Sequence, residues 1–124
     1  MCYLVDVATT IQVADALSLV LNLPAHQADD VLIAMISKDD AAGGAFTGMS
    51  GWTEIAQANV GTSGTNTVRG AAFWKRASGS SETPPTVTST DTDAWCAAVL
   101  CVRGAYAADN PIGIYATNTD TSGA

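Results

Sequence analysis

With 124 residues the chain is long enough for one domain and too short for two ordinary ones. Apolar residues make up 48% and charged residues only 14%, which excludes a disordered polyelectrolyte and a coiled coil rich in Glu and Lys. Five Lys and Arg stand against twelve Asp and Glu, a net charge of −7. The basic residues Lys38, Arg69, Lys75, Arg76 and Arg103 are scattered, so no nucleic-acid partner is expected: such a surface needs clustered cations to neutralise phosphates.

The opening residues, Met1 to Asp6, have neither a basic n-region nor a long apolar h-region, and no signal peptide is expected. The longest apolar stretches, Leu17 to Leu23 and Val31 to Ile36, fall far short of the roughly 20 residues a bilayer span needs, so no membrane partner is expected either.

Leu17, Leu19, Leu21 and Leu23 recur at period two, the pattern of a strand with one face on a core, and Pro24 ends it. A helical spacing can also be drawn through Val13, Leu17, Val20 and Leu21, leaving a helix from about Thr10 as the alternative. Val31 to Ile36 is a continuous apolar run closed by Ser37-Lys38-Asp39-Asp40, which predicts a strand buried on both faces. Two further strands, Trp52 to Ala58 and Thr67 to Ala77, flank a turn-rich loop from Asn59 to Asn66. Ser78 to Pro85 reads as a second loop, because paired prolines offer no ladder donors. Thr86 to Thr90 reads as a polar edge strand, Ala94 to Arg103 as a strong strand, and Gly113 to Ala116 as a last one before the polar tail 117–124.

Short strands separated by Gly, Pro and Ser loops predict one all-β domain over 1–124. The expected fold is an antiparallel β-sandwich, jelly-roll or Ig-like, of about seven to eight short strands.

No catalytic residues are expected. His26 is the sole histidine and lies in a turn, and no Gly-x-Ser-x-Gly elbow or phosphate-cradling glycine loop is present. The acids Asp29-Asp30, Asp39-Asp40 and Asp91-Thr92-Asp93 lack the glycine and distal glutamate of a calcium loop, so turn and capping duty is the expected role, with no metal and no cofactor. Cys2, Cys96 and Cys101 are odd in number and lack zinc spacing; on one strand Cys96 and Cys101 have opposite parity and point to opposite faces, which suits free thiols in a reducing compartment. Trp52 and Trp95 are expected in the core. Phe73 and Trp74 are neighbours on a strand and must face opposite sides, so one of them is available to a partner.

Several motifs in order carry a resemblance. They are Leu23-Pro24-Ala25, Asp29-Asp30-Val31-Leu32-Ile33-Ala34, Gly51-Trp52-Thr53-Glu54-Ile55, Phe73-Trp74-Lys75-Arg76-Ala77 with Glu82-Thr83-Pro84, and Ala94-Trp95 through Val102-Arg103-Gly104-Ala105. From about Leu17 to Ile112 the chain resembles a bacteriophage β-sandwich family of virion structural proteins, tail-associated members included. It departs from that family at Asp29, where glycine is usual, and at Met49-Ser50, where a proline is common. Relatives often continue with further strands where this chain stops at Ala124, so either a compact domain or a sheet completed by a neighbouring chain is expected.

The resemblance implies an outer-capsid decoration or cement subunit in the virion, assembled in the host cytoplasm. Its implied partners are the major capsid protein or other virion proteins, and further copies of itself. The alternative is a tail, fibre or baseplate component that binds a glycan receptor. Trp74, Lys75, Arg76 and the loop residues Asn59 and Asn66 are the expected partner-binding residues.

Overall fold

The computed structural model describes residues 1–39, 44–60, 67–105, 107 and 110–113. Its strands are β1 (Tyr3–Val20), β2 (Val31–Asp39), β3 (Thr53–Val60), β4 (Val68–Arg76) and β5 (Thr86–Arg103). They form one antiparallel sheet in the order β1-β5-β2-β4-β3, and no helix occurs among the described residues. The described chain is therefore all-β, as its composition predicts, with five strands among the described residues where about seven to eight short ones were expected.

The lower count has a physical origin in β1 and β5, each 18 residues long. The leucine-rich stretch at Leu17 is the far end of β1, and the strand geometry extends back through the region where a helix was the alternative. Thr86 to Thr90 is likewise no separate edge strand but the first part of β5, paired with Ser18 to Val20. Its alternation runs the length of the strand with one gap at the half-buried Asp91: Val87, Ser89, Asp93, Trp95, Ala97, Val99 and Cys101 are all buried. Of the expected Gly113 to Ala116 strand, Gly113 lies outside any strand, and 114–116, like the tail 117–124, lie outside the described residues.

β1 and β5 cannot run straight. Ala77 stands at the Val31 end of the sheet, where its N–H donates to Asp30 O at 2.8 Å, and residues 78–85 can span at most about 30 Å from there. A straight β5 would carry Thr86 about 30 Å beyond Trp95, which already lies at the other end of the sheet, opposite Lys38. The ribbon therefore turns back on itself. The register of β1 against β5 breaks where this is needed, between Gln12 and Ala16 and between Ala16 and Ser18.

The returning ribbon roofs one face of the sheet. Leu19, Leu21 and Val87 join Leu32, Ala34 and Ile36 of β2, Ala71 and Phe73 of β4, and Trp95, Ala97, Val99 and Cys101 of β5 in a single core. The segment between β2 and β3 closes the side: Phe46 forms a β-bridge to Ser89, Thr47 N donates to Thr88 O at 3.0 Å, and Met49 is buried. The Phe46 and Trp95 rings pack tilted with centroids 5.4 Å apart. Trp95 is buried as expected and its indole Nε1–H donates to Ala16 O at 2.8 Å; Trp52 is half-buried against the same core.

Candidate docking surface

β2 distributes its side chains to two different environments. Leu32, Ala34, Ile36 and Lys38 face the roofed side, and all four are buried. Their alternates do not fare alike: Val31 is buried, Ile33 and Ser37 are half-buried, and Met35 is 50% exposed. The expectation of burial on both faces thus holds at Val31 and fails at Met35, where the described chain covers the inner face only.

The outer face continues across the sheet. Register places Ile33 beside Leu100 and Trp74, Met35 beside Ala98 and Ala72, and Cys96 beside Ile11. Ile11 is 72% exposed, and Leu4, Val7, Val13 and Val68 are exposed as well. An antiparallel sheet with one face in water normally alternates apolar-in with polar-out, whereas a continuous apolar run marks a strand covered on both sides. An exposed, contiguous apolar face of this kind marks an interaction surface. Among charged strand residues with a register partner, only Asp39 and Arg76 fall on this face, at opposite ends of the β2–β4 pair. A shallow groove of about 390 Å³ runs beside Met35, lined by Thr9, Ile11, Cys96 and Ala98.

Charge is gathered instead on the roofed side and at the sheet ends. Lys38 Nζ donates to Ser89 Oγ at 2.7 Å and to Asp93 Oδ2 at 2.8 Å, with Asp91 Oδ2 at 3.6 Å and the Trp95 ring centroid at 5.9 Å. At the Val31 end, Arg103 grips Asp30 with two bonds, Nε to Oδ1 at 2.8 Å and Nη2 to Oδ2 at 2.7 Å. That fork holds the Asp30 carboxyl well below the usual carboxylate range against the opposing effect of burial, with the Gln27 N–H adding a further bond. The Cys101 thiol, donating to Asp30 Oδ2 at 3.3 Å, is pushed up to about 11 by burial first and by that carboxylate second.

His26 serves the turn in which it lies. Its Nδ1 is 2.7 Å from Pro24 O and its Nε2 accepts from Glu82 N at 3.3 Å, an arrangement that fits the neutral Nδ1–H form. Among the described residues no three His, Cys, Asp or Glu are grouped as a metal ion would require.

The expected partner-binding residues do not form one patch. Trp74 and Arg76 have outer-face parity, and both are half-buried. Arg76 Nη1 donates to Asp29 O at 3.0 Å. Lys75 points to the other side and pairs with Glu82 at 2.5 Å. Asn59 belongs to β3 and not to a loop; its Oδ1 is buried with no hydrogen-bond partner among the described residues, and Asn66 lies outside them. Sequence reasoning missed Met35, Ile11 and Val7 as surface residues. The signal that could have found them is the unbroken apolar run of β2, which leaves apolar side chains on whichever face lacks a second layer.

Comparison with known protein families, with curated proteins and with solved structures gives no match.

Proposed function

We propose that this protein is a structural assembly subunit that works by docking to other proteins, in the form of an outer-capsid decoration or cement subunit of a phage virion. The observation that carries the docking role is the open sheet face: an apolar surface with Met35 half in water at its centre and, among the described strand residues with a register partner, charge only at its ends. A monomer gains nothing from keeping such a face exposed, and it becomes stable against association only when a second layer covers it.

The virion setting comes from the sequence resemblance, and one backbone feature supports it. Asp29 adopts φ 69°, in the left-handed region that suits glycine, at the position where the resembled family carries glycine. The glycan-binding alternative has less support. Phe46, Phe73 and Trp95 are buried and Trp52 packs on the core; the exposed Tyr3 and half-buried Trp74 stand on β1 and β4, which are not neighbours, so the described aromatics offer no exposed row on which sugars could stack.

The test is assembly of phage shells with and without the chain, followed by heating and by chelator treatment. Decorated shells are expected to survive at higher temperature. Shells that bind no chain, or that bind it and are no more stable than bare shells, overturn the virion role.

A further inference from the structure

We infer that the layer covering the open face is a second copy of this chain, packed sheet to sheet about a two-fold axis that runs across the strands. The inference rests on the docking role proposed above and names its first partner. The pair completes a sandwich that one chain begins, and leaves the loops at its rim for other partners.

Size, shape and charge each support self-pairing. Five strands spaced about 4.8 Å, with nine residues of β2 at about 3.3 Å each, make a face of roughly 700 Å². That is close to the roughly 800 Å² each partner contributes to a standard stable interface. Sheets stack face to face about 10 Å apart, with side chains interdigitating.

An interface between identical copies must be self-complementary, each patch meeting itself. Met35 is the middle residue of the middle strand, so it lies near any such axis. Its register neighbours on both sides, Ala98 and Ala72, are small, and the groove between β1 and β2 lies next to it. A projecting thioether and the hollow that receives it therefore sit on the same surface, and methionine adapts its shape to such a hollow.

Charge selects the orientation. Asp39 and Arg76 lie at opposite ends of the face. An axis across the strands lays opposite ends over each other, so that Asp39 of one copy approaches the end bearing the second copy's Arg76, twice per pair. An axis along the strands opposes like ends and brings the two Asp39 residues together. Among the described strand residues with a register partner, the rest of the face carries no charge to repel a copy of itself, despite the net charge of −7.

The experiment is sedimentation equilibrium of the full chain under reductant, with circular dichroism to verify folding. The wild type is expected to be a dimer. Met35→Glu places a charge at the centre of the face and is expected to weaken pairing by about thirtyfold or more. Asp39→Arg and Arg76→Asp are each expected to weaken it, and the double exchange Asp39→Arg/Arg76→Asp to restore it, so the prediction survives if Met35→Glu fails to fold.

A dimer untouched by Met35→Glu and by both charge changes overturns the inference in favour of pairing at the β1 or β3 edge. A monomeric wild type overturns it too. If peroxide then oxidises Met35 only after residues 114–124 are removed, the chain covers its own face. A monomer that still stabilises shells, and loses this with Met35→Glu, refutes self-pairing and keeps the docking role. A dimer that leaves shells unchanged refutes the virion role and keeps the pair.

Discussion

Lys38 Nζ and Asp93 Oδ2 meet at 2.8 Å between the sheet and its own returning ribbon, the lysine side chain wholly out of contact with water. Removing one partner from such a pair leaves an uncompensated buried charge, a loss of about 3–5 kcal/mol. Lys38→Met is therefore expected to destabilise the fold by about that amount in urea denaturation. Adding Asp93→Leu to it is expected to recover most of the loss, because an apolar pair of similar volume removes the stranded carboxylate. An unchanged midpoint for Lys38→Met would mean that the ammonium is dispensable.

Gly44 is tied into the same cluster. Its N–H donates to Asp91 Oδ2 at 3.1 Å, and a Cβ at this position would lie 1.8 Å from Asp91 Oδ1. Gly44→Ala is expected to cost about 1–3 kcal/mol by forcing Asp91 away. In a Gly44→Ala/Asp91→Ala double variant the two costs should be strongly non-additive, since the clash disappears with the carboxylate. Simple additivity in a double-mutant cycle would refute the contact.

Acid sensitivity follows from two carboxylates. Arg103 holds Asp30 below its ordinary range, and Lys75, helped by Ser78, holds Glu82 down at about 2 from an ordinary 4.5. A carboxyl whose folded pKa is depressed contributes fully above its unfolded value, and the contribution is lost as pH falls through the folded one. From these two groups stability is expected to be level from neutral pH down to about 4.5, and to fall between there and about 2. Glu82→Gln should flatten part of that slope while lowering stability at neutral pH. A Glu82→Gln profile parallel to the wild type at every pH would rule the linkage out.

The three thiols divide by environment. Cys2 and Cys96 are exposed, whereas Cys101 is fully buried and its thiol is pushed up to about 11. A chromogenic disulfide reagent at neutral pH should titrate Cys2 rapidly in the native protein, Cys96 rapidly only when the Met35 face is uncovered, as in a monomeric Met35→Glu variant, and Cys101 only on unfolding, since the thiolate is the reacting form. Three equally fast thiols would show Cys101 to be accessible.

Local patterns settled much of the fold in advance. The apolar run from Ala94 to Val102 predicted the strand, and strand parity then predicted the opposite facing of Cys96 and Cys101; Pro84-Pro85 predicted the loop before β5. The bend of β1 and β5 was not readable, because a strand that returns over its own sheet alternates just as a straight one does. Lys38 was equally hidden. As part of Ser37-Lys38-Asp39-Asp40 it reads as the solvated end of a strand, yet it shares parity with Leu32, Ala34 and Ile36.

The sequence by itself determined the class of structure and the apolar character of β2 on both of its faces, since both depend on side-chain type and spacing along the chain. Only the tertiary structure decided which of those faces the protein covers for itself. That choice depends on how far residues 78–85 can reach, and on where β1 and β5 break register to turn back, and both are matters of distance in space.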